Sequence, residues 1–291
     1  MTDNTAAAPR LESTTSGWST RIRPGIALAW LVLALIAVAV LWPALLASHT
    51  SDEVDVVHAF SPPSADHLLG TDRLGRDVYA RIVYGARISV TVGVGAMLLG
   101  LIPGAVLGVL AAAGGSRIVS RAVMLVADIL IAFPGILLAL LIAAVLGAGT
   151  VNMMLAIAFS TLPGFIRLAR AQALVVRESD YVRIATTLGT RRAAVLVRHV
   201  FPNVLPPLLV MATVSIGTTI IAGSALGFLG LGPQAPTPEW GAMLAESRDF
   251  LDVAWWTAVF PGLALTLTVI AISVVGRDAR HRIEGSPHAG R

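Results

Sequence analysis

Apolar runs separated by short polar segments dominate the pattern of the chain. The runs cover residues 24–48, 88–116, 122–166, 202–230 and 253–276. The third run is long enough for two membrane crossings, and the glycine-rich segment 147–152 divides it. Because a helix needs about 20 apolar residues to cross the hydrocarbon layer, the pattern predicts six transmembrane helices and an all-α polytopic membrane protein.

Composition agrees with this pattern. Hydrophobic residues make up 56% of the chain, charged residues 13%, and the mean hydropathy is +0.79. A soluble domain carries roughly 25% charged residues, so this chain lacks the polar material to cover a water-exposed globule. It has no cysteine and no lysine, which excludes disulfides, thiolate metal sites and the lysine of a nucleotide-binding P-loop. The arginines are scattered between apolar runs, which predicts no nucleic-acid partner.

The placement of arginine predicts the orientation of the spans. With a cytoplasmic N-terminus, the outer segments hold five of the 21 basic residues: Arg73, Arg76, Arg81, Arg87 and Arg248. Since arginine accumulates in cytoplasmic segments, both termini are predicted to be cytoplasmic. Residues 1–23 are then a disordered tail, 24–276 the transmembrane domain and 277–291 a second tail. Four tryptophans are predicted at the outer interface: Trp42, Trp240, Trp255 and Trp256.

The polar segment 177–203 is too patterned for a slack linker. Ser179 and Asp180 are predicted to cap a helix beginning at Tyr181, and Gly189 to end it in the left-handed conformation. Thr190 is predicted to cap a second short helix that ends near His199, where Pro202 stops it. One face of the first helix would carry Val182, Ala185 and Gly189. That face either docks another protein or rests on lipid headgroups.

Several stretches together resemble a known family. Residues 181–189 (Y-V-R-I-A-T-T-L-G), followed by 198–203 (R-H-V-F-P-N), resemble the E-A-A-x-x-x-G loop of ABC importer permeases. Residues 67–78 (H-L-L-G-T-D-R-L-G-R-D-V), 227–232 (G-F-L-G-L-G) and 236–241 (P-T-P-E-W-G) narrow the match. They resemble the second permease of the dipeptide, oligopeptide and nickel branch.

The resemblance implies a type I ABC importer permease fold with six transmembrane helices in the bacterial plasma membrane. It implies a homologous second permease, two ATP-binding-cassette ATPase subunits, an extracytoplasmic substrate-binding protein and a short-peptide cargo, with nickel chelates and glutathione as alternatives. ATP would be bound by the partner subunits, and this chain would hold no cofactor. The implied coupling loop to the ATPase lies within 177–203 and includes Tyr181, Val182, Arg183, Ala185, Leu188, Gly189, His199, Pro202 and Asn203.

The chain departs from the family pattern at three positions. Arg183 stands at the usual glutamate of the coupling loop and Ile184 at its first alanine. Both are tolerated in helices, so the helix is expected to form, whereas an acidic contact to the ATPase at position 183 is not expected. Many relatives carry a glutamate where this chain has Gly223, so no acid that contacts the cargo is assigned there.

Two outer motifs are interpreted as structural or as contacts for a partner. The first comprises Gly70, Thr71, Asp72, Gly75, Arg76 and Asp77. Asp72 is predicted to cap the second span, Gly75 to let that helix pack closely, and the last two residues to pair with neighbours. A packed turn is favoured over cargo contact. The second motif comprises Pro236, Pro238, Glu239, Trp240 and Gly241. Its prolines favour a stiff, extended segment that either faces a cargo-delivering protein or braces the loop.

Asp128 is the only acid within a predicted span, and an ionisable residue there is a functional candidate. It either pairs with Arg121 or contacts another helix. Prolines predict kinks at positions 133–134 and 162–163. With one charge in the spans, the path is predicted to be apolar, lined by residues such as Ala222, Gly223 and Gly227. The six histidines show no metal-ligand spacing, which disfavours an intramembrane metalloenzyme. A secondary carrier, with its broken helices and ion ligands, is the other alternative.

Overall fold

The computed structural model describes residues 24–113 and 116–284, without the side chains of 281–284. The predicted tail 1–23 and residues 285–291 of the second tail lie outside the described residues. The described chain folds into the helices α1 (Pro24–Leu41), α2 (Val78–Ala112), α3 (Arg117–Ala132), α4 (Gly135–Leu146), α5 (Thr150–Glu178), α6 (Asp180–Thr187), α7 (Arg192–Val195), α8 (Phe201–Phe228), α9 (Trp240–Ser247) and α10 (Trp256–Glu284). Short 3₁₀ turns lie at Pro43–Leu45, Val56–His58 and Arg248–Phe250, and a π-helical turn at Leu196–Val200.

Five helical segments in the described ranges are long and apolar enough to cross a membrane: α1, α2, α5, the continuous helix 192–228 that includes α7 and α8, and α10. The remaining predicted span, the third along the chain, corresponds to α3 and α4, which are bent by 97° at their junction. The bend lies at Phe133, whose ψ of 138° is extended because the ring of Pro134 disfavours a helical conformation in the preceding residue. The prediction of a kink there is confirmed, whereas α5 continues as one helix through Pro163.

Several helices are longer than the apolar runs that predict them. α2 begins at Val78 rather than Ile88, α5 continues past Ile166 to Glu178, and α10 continues past Gly276 into the predicted tail. Arginines predicted to flank the spans therefore lie within helices. Arg87 of α2, for example, donates from Nε to the Val40 carbonyl at 2.7 Å and from Nη2 to the Leu41 carbonyl at 3.0 Å. It thereby satisfies carbonyl groups that the end of α1 leaves open.

A row of glycines on α2 packs this helix against α5. A Cβ atom added to Gly104 would lie 2.6 Å from Cβ of Phe165, and one added to Gly108 would lie 2.5 Å from the Ile166 carbonyl oxygen. With Gly100, these residues repeat every fourth position and therefore share one face. Small residues at this spacing let membrane helices approach closely. They place α2 at the centre of the bundle.

The bundle has two ends that carry different polar structures. We call the end with α6 the α6 end, and the opposite end the α9 end. Two of the four tryptophans predicted at the outer interface, Trp42 and Trp255, are exposed at 60% and 52%. Trp240 and Trp256 are instead buried in the α9 end, so the interfacial prediction is wrong for them. Their indole N–H groups have partners inside the protein, which makes burial possible.

Candidate functional site

The elbow predicted after α6 is present. Gly189 has φ of +82°, the left-handed conformation that ends many helices. Its N–H donates to the Thr186 carbonyl at 3.1 Å, and the N–H of Thr190 donates to the Ala185 carbonyl at 3.1 Å. These two bonds form a Schellman motif. α6 includes Arg183 and Ile184, so the two departures from the family pattern leave its helical geometry intact.

The elbow joins two arms: α6 is the first, and the second begins with α7. The predicted caps of both arms are wrong. Ser179 precedes α6, but its hydroxyl donates to the Val176 carbonyl of α5 rather than accepting from α6. The second arm begins after Arg191 without a side-chain cap, so Thr190 does not cap it. Only Ser179 separates α6 from α5, whereas residues 188–191, including the Gly189 elbow, separate α7 from α6.

Pro202 does not stop the second arm. It lies in the first turn of α8, where a helix tolerates proline. The turn before it is the π-helix Leu196–Val200. Nδ2 of Asn203 donates to the His199 carbonyl at 2.7 Å and so occupies an acceptor close to the proline. The ring centroid of His199 lies 6.2 Å from that of Tyr181, which links the second arm to α6.

The exposed face of α6 differs from the predicted one. Val182 is 4% exposed and packs in the core of the α6 end, and Ala185 is half-buried. The exposed apolar stripe of α6, which we call the α6 stripe, consists of Tyr181 (46% exposed), Ile184 (59%) and Leu188 (80%). These positions follow the i, i+3, i+7 spacing of one helix face. The predicted docking face built on Val182 is therefore wrong, because that side chain fixes α6 to the bundle.

An arginine-lined cleft lies beside the α6 stripe. Its wall includes Arg177, Arg183 and Arg192, and its volume is about 1060 Å³ with the open mouth included. Nη1 of Arg177 donates to the Ala112 carbonyl at the end of α2. At the position of the family's usual glutamate, this chain therefore has Arg183, which lines a basic cleft.

At the α9 end, the outer motif forms a buried network of charges. Oδ2 of Asp72 accepts from Arg76 Nε and from Arg81 Nη1, both at 2.7 Å. Oε2 of Glu246 pairs with Nη2 of the same two arginines, at 2.9 and 3.2 Å respectively. Burial raises the pKa of Glu246, while Arg76 opposes this shift. The network joins the loop before α2, α2 itself and α9.

The prediction that Asp72 caps α2 is wrong. Asp77 caps it, accepting from the Ala80 N–H at 2.7 Å, and also pairs with His67 Nδ1 at 2.9 Å. Gly75 lies in the loop with φ of +73°, and a Cβ added there would lie 1.6 Å from the Asp55 carbonyl oxygen. It therefore packs loop against loop, not helix against helix. The predicted pairing of Arg76 and Asp77 with neighbours is confirmed.

Gly70 and Thr71 anchor the same loop beneath α10. Gly70 has φ of +75°, and a Cβ there would lie 2.6 Å from Nε1 of Trp256. That indole nitrogen donates to the Thr71 carbonyl at 3.1 Å. The Thr71 hydroxyl accepts from the Ser61 N–H at 2.8 Å. The outer motif is a packed turn, as favoured from the sequence.

Glu239 of the second outer motif is buried and forms the N-cap of α9. It is 1% exposed and accepts from the backbone N–H groups of Gly241 and Ala242 at 2.9 and 2.8 Å. The hydroxyls of Ser89 on α2 and Ser224 on α8 donate to it at 3.1 and 3.4 Å. Burial raises the pKa of Glu239, and these four hydrogen bonds oppose the shift. One carboxyl group thus caps α9 and ties it to two long helices.

The rest of this motif braces the loop and leaves a short exposed edge. Nε1 of Trp240 donates to the Ile82 carbonyl at 3.0 Å, and a Cβ added to Gly241 would lie 2.0 Å from the Ser224 carbonyl oxygen. Pro238 is buried, whereas Pro236 is exposed. Only this exposed edge is open to a partner.

Asp128 contacts another helix, one of its two predicted alternatives. Its Oδ1 accepts from Arg167 Nη2 at 2.6 Å, which joins α3 to α5. The side chains of Asp128 and Arg167 are 52% and 49% exposed. Arg167 comes directly after the predicted apolar run, on a helix that continues to Glu178.

Residues 104–280, more than half of the chain, match the family of binding-protein-dependent transport system inner membrane components. The chain belongs to this family of transport permeases. Its fold is that of an ABC importer permease. A subunit of the MetNI methionine ABC transporter, in an inward-facing conformation, superposes with a TM-score of 0.57 at 17% identity, over 70% of this chain and 96% of that one.

Curated relatives of this permease are similar over most of their length. The dipeptide transport system permease protein DppC of Alkalihalophilus pseudofirmus is 41% identical over 87% of this chain and 83% of the relative. The di/tripeptide transport system permease protein DppC of Pseudomonas aeruginosa is 42% identical over 77% and 76%. The glutathione transport system permease protein GsiD of Pectobacterium atrosepticum is 38% identical over 92% and 89%.

Two glycines predicted to line the transport path, Gly223 and Gly227, are packed inside this subunit. Gly223 and Gly227 are buried. A Cβ added to Gly223 would lie 3.3 Å from Val92 Cγ1 of α2, and one added to Gly227 would lie 2.0 Å from Glu239 Oε2. The prediction that they line an open path is wrong, because these glycines serve close contacts of α8 with α2 and with the loop before α9.

Sequence reasoning missed a group of histidines at the α9 end. His49, His58 and His67 lie in one loop at intervals of nine residues, and the ring centroid of His67 lies 5.7 Å from that of His49 and 6.3 Å from that of His58. His58 pairs with Asp55 at 2.6 Å. No cluster of three or more potential ligands in the described part of the chain could hold a metal ion. The loop fold alone brings these rings together, so no spacing in the sequence could reveal them.

Proposed function

We propose that this chain is the second of two homologous permease subunits of an ATP-driven importer that translocates short peptides. Relatives at 41% and 42% identity carry dipeptide and di/tripeptide transport in their names, and most of this chain takes part in those matches. The ordered motifs on both ends of the bundle support the same branch of the family.

The α6 stripe is the single observation that supports the proposed assembly with ATPase subunits. Tyr181, Ile184 and Leu188 expose apolar side chains at helical spacing, a pattern by which helices enter grooves of partner proteins. We infer that the partner is an ATPase subunit. On the opposite side of the same helix, Val182 is fixed in the core. A displacement of α6 by the ATPases would therefore be transmitted directly to α5 and α8.

The α6 end is cytoplasmic in this proposal and the α9 end faces outward. The arginine-rich α6 end follows the positive-inside rule. At the α9 end, the exposed Pro236 edge would meet an extracytoplasmic binding protein. ATP would be bound by the two ATPases, since the chain has no lysine for a phosphate-binding loop. The chain would thus be a transport subunit and not an enzyme.

Glutathione is the second candidate cargo, because relatives at 38% and 40% identity are named for glutathione transport. Competition for uptake decides between the cargoes. Cells with and without this gene would be given labelled dipeptide, with unlabelled peptides, glutathione or nickel as competitors. We expect deletion to abolish peptide uptake and unlabelled peptides to compete best. Intact peptide uptake with lost glutathione or metal uptake would reject the peptide cargo and leave the importer assignment in place.

The docking of α6 is tested by Leu188→Ser, which removes the most exposed side chain of the stripe. We expect less ATPase to co-purify with the permease, while its amount in the membrane stays normal. Val175→Ser is the matched control, because Val175 is 68% exposed on α5 outside the stripe. Equal recovery of ATPase with both variants would show that the ATPase binds elsewhere.

A further inference from the structure

We propose that the arginine-lined cleft beside the α6 stripe receives an acidic side chain of the ATPase subunit, so that α6 docks by charge as well as by apolar contact. This inference rests on the proposed function, because it assumes that an ATPase covers the stripe. The contact lies on a different face of α6 from the stripe and determines which chemistry the partner must present there.

Three faces of α6 have different surroundings. Val182 marks the face that packs in the core, and the α6 stripe is the exposed apolar face. Arg183 and Thr187 lie between these two faces, at the i, i+4 spacing of one helix side, and both line the cleft. Because α6 has only eight residues, a partner that covers the stripe also reaches the cleft on the neighbouring face.

Arginines from three segments line the cleft: Arg177 in the last turn of α5, Arg183 on α6 and Arg192 at the start of α7. Guanidinium groups stay charged at physiological pH. No carboxylate is among the described residues that line the cleft. Within residues 24–113 and 116–280, none of the three arginines takes part in an ion pair. The cleft therefore concentrates positive charge that the described part of this subunit does not neutralise.

The cleft suits a carboxylate on a short apolar stem. Val182 and Val195 line it and are 4% and 8% exposed, which gives the methylene groups of an aspartate or glutamate an apolar surface. The hydroxyls of Thr186 and Thr187 donate to carbonyl groups of α6 itself, at 2.8 and 3.0 Å. On this wall the donors for an anion therefore belong to Arg183. Arginine binds a carboxylate in a planar, two-bond geometry.

The three arginines differ in how firmly they are held. Arg177 is half-buried, and its Nη1 donates to the Ala112 carbonyl, which fixes it as part of the wall. Arg183 and Arg192 are exposed. These two side chains can turn towards a partner, and Arg183 lies nearer to the stripe because both belong to α6.

The expected contact is weak but selective. Ion pairs open to water contribute little and are screened by salt, whereas complementary charge speeds association and excludes partners of like charge. An ATPase with a basic residue opposite Arg183 would be rejected. Docking through the apolar stripe alone would not weaken with added salt, so the salt dependence of binding separates the two contacts.

The test measures binding of the purified ATPase subunits to the assembled permease pair in nanodiscs of neutral lipid, at low and at high ionic strength. The variants are Arg183→Gln and Arg183→Glu. Arg121→Gln is the matched control, because Arg121 is exposed on α3 and does not line the cleft. Thermal unfolding of each variant checks the fold, and nanodiscs with anionic lipid test whether a lipid headgroup occupies the cleft instead.

We expect Arg183→Gln to lower the affinity for the ATPase at low ionic strength about two- to fivefold, the size of an exposed ion pair. Arg183→Glu should lower it further, and both variants should show a smaller salt dependence than the wild type and Arg121→Gln. Equal losses at low and high ionic strength would mean that Arg183 only packs, and would overturn the inference. A loss confined to nanodiscs with anionic lipid would assign the cleft to lipid headgroups and overturn it as well.

The failure of this inference is distinguishable from the failure of the proposed function. Unchanged binding by Arg183→Glu, together with lost binding by Leu188→Ser, would reject the acidic contact and leave the docking of the stripe in place. If the wild-type permease pair binds no ATPase, the proposed function fails and the inference fails with it.

Discussion

The elbow after α6 makes the coupling role of this permease testable through one backbone angle. Gly189 has φ of +82°, and a side chain in the left-handed conformation costs about 1–2 kcal/mol. A Cβ added at this position meets no atom within 4 Å. Within this subunit, the cost of a substitution at Gly189 is therefore conformational and not steric.

This distinction predicts an order among three variants. Gly189→Asn should be mildest, because asparagine visits the left-handed region more readily than other residues. Gly189→Ala should cost about 1–2 kcal/mol, and Gly189→Val more, because its branched side chain is stiffer. A cost of 1–2 kcal/mol is a factor of about 5–30 in an equilibrium. We expect the apparent affinity for the ATPases to fall by about that factor in Gly189→Ala.

The assay is titration of the purified permease pair with the ATPase subunits, followed by cargo-stimulated ATP hydrolysis in proteoliposomes. The amount of each variant in the membrane and its melting temperature serve as controls for folding. We expect membrane insertion to remain normal while coupling decreases in the order Asn, Ala, Val. Similar losses for Asn and Val would refute the conformational argument. Wild-type uptake by Gly189→Val at normal expression would place the docking surface away from the elbow.

Three further predictions concern stability, each measured by thermal unfolding of the purified permease. Gly104→Val should lower stability by about 1–3 kcal/mol through overpacking, since its Cβ would lie 2.6 Å from α5, whereas Gly25→Val should show no such loss because no atom lies within 4 Å of an added Cβ. Arg76→Ala should cost about 3–5 kcal/mol by leaving buried carboxylates underpaired, against less than about 0.5 kcal/mol for the exposed Arg248→Ala. The pKa of Glu239 is raised in the folded state, so its contribution to stability is fully present below the unfolded pKa and is lost as pH rises through the folded pKa. Glu239→Gln should flatten this pH dependence, and an equal slope in both proteins would contradict the shift.

Local sequence determined the features that depend on neighbouring residues alone. The apolar runs predict most of the spans because the length needed to cross a bilayer is a property of one helix. The bend at Phe133 follows from the proline after it. The elbow at Gly189 follows from the tolerance of glycine for positive φ. Each of these can be read without knowing what lies across the bundle.

Tertiary structure alone decided which side chains meet. Asp72 and Asp77 are both plausible caps for α2, and only the positions of Arg81 and Glu246 show why Asp72 belongs to the charge network. Val182 is apolar in sequence whether it faces an ATPase or the core. Its burial depends on where α6 lies against α5 and α8.

The charge pair in the bundle shows the physical reason most clearly. Hydropathy places Arg167 just beyond an apolar run, as an ordinary flanking residue. Because backbone hydrogen bonding continues α5 to Glu178, the residue lies inside a long helix, opposite Asp128 of α3. Hydropathy measures the surroundings of one segment, whereas an ion pair depends on the relative depth of two. The relative position of the two helices is set by how they pack, and no single segment of the sequence specifies that packing.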